Sequence, residues 1–193
     1  MLKIITGSAK GKILKTLEGE ATRPTSSRIK EALFSSIQFD IANRAVLDLF
    51  AGSGGLGLEA LSRGAMSCTF IDSAREAIDI VKQNATATGF FSMSKYLVSD
   101  YRNYIRKASG RDRFDLVFID PPYAMQCARD ALDRLKGADM LRDGAIVCIE
   151  GGSEEINLAT LTDFEIMKHT SYGKMTYLLI LLYRKPKAIA KEV

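Results

Sequence analysis

Val46-Leu47-Asp48-Leu49-Phe50-Ala51-Gly52-Ser53-Gly54-Gly55-Leu56-Gly57-Leu58-Glu59-Ala60-Leu61 reads as a strand, a glycine turn and a helix. Gly52, Gly54 and Gly57 satisfy the pattern G-x-G-x-x-G. Glycine there admits positive φ and lets a ligand approach the bare backbone, while the first helical turn offers N–H groups without intrahelical partners. The pattern fits NAD, FAD or S-adenosylmethionine, and equally a structural tight turn. The next apolar run, Cys68-Thr69-Phe70-Ile71, ends in Asp72 and Ser73. A carboxylate at that place holds the ribose hydroxyls of an adenosine cofactor, or caps the helix predicted over Arg75 to Asn84.

Two features favour S-adenosylmethionine over a dinucleotide. Asp48 lies four residues before Gly52, at the end of the first strand. There it would order the loop around a cationic ligand and repel a pyrophosphate. The second feature is order along the chain. Strands alternate with helices as far as Ala145 to Ile149, and two strand-like runs follow, Phe164 to Thr170 and Met175 to Tyr183, separated by Tyr172-Gly173-Lys174. So short a turn makes an antiparallel hairpin, which a purely parallel dinucleotide fold does not need.

A further apolar run, Leu116-Val117-Phe118-Ile119, has the character of a buried parallel strand and closes in Asp120-Pro121-Pro122-Tyr123. Open α/β sheets bind ligands at that end of a strand. The two prolines stiffen the backbone and remove N–H donors, so the segment is rich in acceptors. Asp120 and the Pro121 carbonyl can accept the two hydrogens of an exocyclic amine, Pro122 stiffens the wall, and Tyr123 offers a face for a flat base. The plainer alternative is a strand-ending turn opened by Asp-Pro.

A chain of 193 residues, 47% of them hydrophobic, suits one α/β domain with a sizeable core. The longest late apolar run, Tyr177 to Tyr183, is far below the ~20 residues needed to span a bilayer. No signal-peptide pattern is evident near Met1. Cys68, Cys127 and Cys148 are widely spaced and read as reduced thiols of a cytoplasmic protein, the first and last in buried strands. The single histidine, His169, falls in a predicted strand, so no metal site is expected.

Charge is concentrated at one end. Residues 1–30 carry Lys3, Lys10, Lys12, Lys15, Arg23, Arg28 and Lys30 against Glu18 and Glu20, a formal +5, while the whole chain is +4, leaving −1 for the remainder. Leu2 to Thr6 and Ile13 to Thr16, around a Gly/Ser/Lys turn, read as a β-hairpin arm suited to a phosphate backbone, although the same lysines also suit solvated surface. Arg23-Pro24-Thr25 is expected to be extended and to lead into a helix from about Ser27 to Gln38 with Ile29, Leu33 and Ile37 on its apolar face. The tail after Tyr183 is basic and expected to be flexible.

With both motifs in place, the chain resembles class I S-adenosylmethionine-dependent methyltransferases of the Asp-Pro-Pro-Tyr type. Five further segments carry a narrower resemblance: Lys3-Ile4-Ile5-Thr6-Gly7, Lys10-Gly11-Lys12, Arg23-Pro24-Thr25, Arg28-Ile29-Lys30-Glu31-Ala32-Leu33-Phe34 and Leu56 to Ala65. They are similar to the RsmD family of bacterial 16S ribosomal RNA guanine-N2 methyltransferases, over nearly the whole chain. Thr6 stands where that family often has a second glycine, and Ser27 where it commonly has an aspartate.

The resemblance implies a Rossmann-like α/β fold whose seven-stranded, mostly parallel sheet has an antiparallel last strand. It divides the chain into an N-terminal hairpin extension (1–24), a methyltransferase domain (25–184) and a basic tail (185–193). Asp48, Phe50, Ala51, Gly52, Ser53, Gly54, Asp72 and Ser73 would hold S-adenosylmethionine, with Asp100 accepting from the adenine amine and Tyr101 beside the ring. Asp100 also suits the N-cap of a helix over Tyr101 to Lys107. Asp120, Pro121, Pro122 and Tyr123 would act on the guanine N2 amine, and the seven bases of residues 1–30 would contact RNA. The implied partner is 16S ribosomal RNA in an assembling small subunit, met by a monomer. A DNA adenine-N6 or cytosine-N4 methyltransferase, a non-catalytic S-adenosylmethionine- and RNA-binding protein, and a dinucleotide-dependent oxidoreductase are the alternatives the residues leave open.

Overall fold

Apolar side chains of the central strands divide by parity. Leu116 and Phe118 join one buried cluster, Val117 and Ile119 the other; Val46 and Leu47, Ile146 and Val147, and Ile180 and Leu181 split in the same way. A strand covered on both faces must be apolar at every position, which is why these segments read as unbroken hydrophobic runs.

The computed structural model describes residues 1–17, 24–122, 125–152, 156–173 and 176–186, with 24–26 through their backbone alone. Arg23, Tyr123 and the end of the basic tail lie outside the described residues. The helices are α1 (Pro24–Ser36), α2 (Gly55–Ser62), α3 (Arg75–Thr88), α4 (Tyr101–Ala108) and α5 (Ala128–Gly137). The strands are β1 (Ala45–Asp48), β2 (Ser67–Asp72), β3 (Ser94–Val98), β4 (Phe114–Ile119), β5 (Leu141–Gly151), β6 (Phe164–Tyr172) and β7 (Thr176–Tyr183).

The seven strands form one sheet in the order β3-β2-β1-β4-β5-β7-β6. Strands β1 to β5 run parallel, and β7 runs antiparallel to both neighbours. The expected reversed last strand is therefore present, inserted between β5 and β6. Helices α1, α2 and α3 pack on one face of the sheet, and α4 and α5 on the other. From β1 the chain moves outward through β2 and β3, then returns to place β4 on the other side of β1. That reversal opens a crevice over the carboxyl ends of β1 and β4.

Helix α1 begins earlier than expected. Pro24 and Thr25 belong to it, which corrects the extended reading of this segment. Proline is tolerated in a first helical turn because its fixed φ is helical and its missing N–H would have had no partner there. The apolar face is as expected, with Ile29, Leu33 and Ile37 out of contact with water.

The N-terminal hairpin is shorter as a β-ladder than its sequence suggests. Its one bridge pairs Lys3 with Ile13, flanked by Ile4 N–H to Lys12 O and Leu14 N–H to Leu2 O, each 2.9 Å. The ladder stops because neighbouring backbone groups bond elsewhere. Ile5 and Thr6 donate to the Glu59 carboxylate at 2.7 and 3.0 Å, Ser8 to Ser62 O at 2.9 Å, and Lys15 to Asn84 Oδ1 at 2.8 Å. Ile4, Ala9 and Leu14 share the core cluster of α1, α2 and α3. Burying Ile4 and Leu14 contributes about 1.5–3 kcal/mol each, so the hairpin lies along the domain as part of its wall. Gly7 fixes the closest approach: its φ is +89°, and a Cβ there would stand 1.8 Å from Ser62 O.

Candidate active site

One cavity of about 690 Å³ opens over the carboxyl ends of β1, β2, β4 and β5. Every predicted cofactor residue except Gly54 borders it, as do Asp120, Pro121 and Pro122. Its size suits a cofactor together with part of a second molecule.

The glycine turn is held in place from beneath. Asp48, at the end of β1, is 2% exposed, and its Oδ2 accepts the Gly57 N–H at 2.9 Å. Gly57 is the close-packing glycine of the motif, since a Cβ there would lie 2.3 Å from the Phe70 ring. Gly54 serves the turn itself: its φ is +81° and it caps α2, with no share in the cavity wall. Burial pushes the Asp48 carboxyl up to about 7; the charge of Asp72 adds to the rise, while the Gly57 amide and the Lys30 ammonium oppose it.

Asp72 ends β2 and clips the two loops together, with Oδ2 accepting from Gly52 N–H and Oδ1 from Ala74 N–H, both 2.9 Å. Ala74, not Asp72, is the N-cap residue of α3. Each carboxylate oxygen keeps a second lone-pair direction, so this clip is compatible with accepting from ribose hydroxyls. Asp100 is the N-cap of α4, and Oδ1 takes the N–H groups of both Arg102 and Asn103. Tyr101 borders the cavity, but its ring is 3% exposed, packs 5.2 Å from the Phe50 ring and donates its hydroxyl to Asp130 Oδ2 at 2.6 Å. Burial and that hydrogen bond raise the phenol well above its ordinary range.

At the end of β4, Asp120 is half-buried, Pro121 buried and Pro122 exposed. The basic residues divide into three groups. Lys10, Lys12, Lys15 and Arg28 are exposed and away from the cavity, and Lys15 Nζ bonds Gln83. Lys3 is exposed and borders the cavity. Lys30 borders the cavity with its ammonium turned inward. It is 7% exposed, with Nζ at 3.2 Å from Glu59 Oε2 and donating to Lys3 O at 3.1 Å. Its ammonium is thus held by a buried carboxylate at the cavity wall.

Residues given no site role from the sequence complete the site. Glu59 is wholly buried and gathers Ile5 N–H, Thr6 N–H, Lys30 and Arg63, tying the hairpin and α1 to the motif helix. Its signal is an acid among the apolar residues of Leu56 to Leu61. Ser27, Glu31 and Glu150 also border the cavity. The described wall thus carries six carboxyl groups, Glu31, Asp48, Asp72, Asp100, Asp120 and Glu150, against two lysines. Such a field suits a cationic ligand with hydroxyl and amine donors, as S-adenosylmethionine is, and disfavours a pyrophosphate.

Comparison with known proteins agrees with this geometry. Residues 2–181 match the family described as conserved hypothetical protein 95. Bacillus subtilis YlbH, a candidate rRNA methyltransferase, is 35% identical over 173 residues, spanning 89% of this chain and 94% of its own. Ribosomal RNA small subunit methyltransferase D of Haemophilus influenzae is 31% identical over 179 residues, 92% of each chain. Among solved structures, Escherichia coli yhhF, a candidate methyltransferase, aligns with a TM-score of 0.84 at 27% identity, over 95% of this chain and 98% of its own.

Proposed function

Because the chain belongs to the ribosomal RNA small subunit methyltransferase D family, we propose that it transfers a methyl group from S-adenosylmethionine to the N2 amine of a guanine in 16S ribosomal RNA. The observation that carries this reading is the sharing of one acid-lined cavity by Asp48 and Asp72 at one end and Asp120-Pro121-Pro122 at the other.

When bound, S-adenosylmethionine supplies a methyl group on a positively charged sulfur that leaves as a neutral thioether. Asp72 would hold the ribose and Asp48 the loop beneath the amino-acid part. The guanine N2 amine is a poor nucleophile because its lone pair is delocalised into the ring. Asp120 and the Pro121 carbonyl would accept its two hydrogens and turn the lone pair towards the methyl carbon, so that positioning and local charge carry the step. After transfer the nitrogen is positively charged, and it would release a proton to Asp120 or to water. Tyr123 would stack on a guanine turned out of its helix or presented in a loop. Lys10, Lys12, Lys15 and Arg28 would neutralise phosphates outside the cavity, and we read the substrate as RNA in an assembling small subunit.

Nucleoside mass spectrometry of small-subunit RNA from cells with and without this protein tests the reading. N2-methylguanosine should be lost at one position and restored by the purified protein with S-adenosylmethionine. Unchanged modification in the deleted strain, with no transfer in the purified reaction, would refute it.

A further inference from the structure

Strand β5 reaches the cavity beside β4, with Ile119 paired to Ile149 in parallel register. One residue further along each strand come Asp120 and Glu150, and both border the cavity. Side chains alternate along a strand. Since Cys148 lies in the cluster under α1, α2 and α3, Glu150 stands on that same face, where Asp48 and Lys30 also lie. Glu150 is 7% exposed, a carboxylate kept at the inner wall instead of the rim.

From this placement we propose that Glu150 determines base choice by accepting the N1–H of the target guanine while Asp120 and the Pro121 carbonyl hold its N2 amine. The inference rests on the guanine-N2 reading given above. On the Watson–Crick edge of guanine, the amine is flanked by a second donor, N1–H. Adenine and cytosine place an acceptor, N1 or N3, beside their exocyclic amine. Two carboxylates side by side at the ends of adjacent strands match the donor-donor edge and repel the other two, because a buried acceptor facing an acceptor leaves both unsatisfied. Glu150 thus separates a guanine enzyme from the adenine and cytosine enzymes that use a similar Asp-Pro-Pro-Tyr segment.

The test compares methyl transfer to small-subunit RNA carrying either guanine or 2-aminopurine at the modified position. The analogue keeps the 2-amine but has an unprotonated N1. Wild-type kcat/KM should favour guanine by roughly 10- to 100-fold. Glu150→Gln, whose amide can donate to the unprotonated N1, should narrow that ratio at least tenfold, roughly one hydrogen bond to a charged group, measured at saturating S-adenosylmethionine on a variant whose melting curve shows it folded. Equal use of both RNAs by the wild-type protein overturns the inference, whatever the variant does. So does an unchanged ratio in a folded Glu150→Gln protein. If the wild-type protein leaves the guanine RNA unmethylated, the N2 reading itself fails, and the inference falls with it.

Discussion

Lys30 Nζ lies 3.2 Å from Glu59 Oε2, and the two side chains keep 8% and 0% of their surface exposed. This buried pair joins α1 to the helix of the glycine motif. Glu59 also takes two hairpin amides and Arg63, so one carboxylate holds three separate pieces of chain around the cavity.

Glu59→Ala should therefore be among the most destabilising substitutions in the protein. Removing one member of a buried pair costs about 3–5 kcal/mol, because the partner charge is left uncompensated. Lys30→Met should cost less, since Arg63 and the two amides still face the carboxylate. Denaturant titration of both variants checks the ranking, and a Glu59→Ala protein as stable as wild type would contradict it.

Asp48 gives the folding free energy a pH dependence of definite sign. Its carboxyl rises from an ordinary 3.8 to about 7 on folding, so the folded chain binds a proton that the unfolded chain has lost across that window. Stability from this group is full below about 4 and declines as pH rises to about 7, by on the order of 4 kcal/mol at most. Asp48→Asn should flatten that decline. A cationic ligand near Asp48 favours its ionised form, so S-adenosylmethionine should bind with release of a proton between about pH 6 and 7, measurable by calorimetry in buffers of different ionisation enthalpy.

Asp72→Ala should weaken S-adenosylmethionine and its demethylated product by roughly ten- to hundredfold, the value of hydrogen bonds to one charged group. The same substitution frees the Gly52 and Ala74 amides that Asp72 clips. Calorimetry with a parallel melting curve separates loss of the ribose hydrogen bonds from loosening of the loop. Unchanged affinity in a folded variant would remove Asp72 from the cofactor end of the cavity.

If Asp120 accepts from the amine as proposed, Asp120→Ala should keep cofactor affinity near that of wild type and reduce methyl transfer severely. Near-normal turnover at saturating RNA would show the amine activation to be wrong.

Replacing Lys10, Lys12 and Lys15 together by Ala should leave folding and cofactor binding intact, since all three side chains are exposed and the Lys15–Asn84 bond uses the backbone. If they bind phosphates, RNA affinity should fall. The slope of log affinity against log salt should become shallower by roughly 0.7–0.9 for each phosphate no longer neutralised. Deletion of residues 1–16 should act differently and lower stability together with cofactor binding, because Leu2, Lys3 and Ile5 border the cavity and Ile4, Ala9 and Leu14 belong to the core.

The parts of this fold that sequence reveals are those in which local pattern and tertiary role agree. Leu116 to Ile119 is apolar at every position because both faces are covered, and Gly57 is a glycine because Phe70 leaves no room for a Cβ. Sequence misleads where a side chain does the opposite of its type. Lys30 and Glu59 look like surface charges on amphipathic helices, yet each is buried by the other, and no spacing along the chain announces so distant a pair. The hairpin ladder is cut short for a similar reason, since its amides are claimed by Glu59 and Asn84 from distant segments. Glu150 reads as the polar end of an apolar strand until the neighbouring strand sets Asp120 alongside it.

The bond from Lys15 to Asn84 spans 69 positions of sequence, and this has a consequence during synthesis. The hairpin emerges early but meets its docking surface only after α2 and α3 have followed, so its apolar residues must wait in an open state through that interval. Closing so long a loop is slow compared with forming a local turn. The part of the cavity wall formed by Leu2, Lys3 and Ile5 is therefore completed late, and ribosome-bound chains cut short before α3 should leave residues 3–15 open to protease.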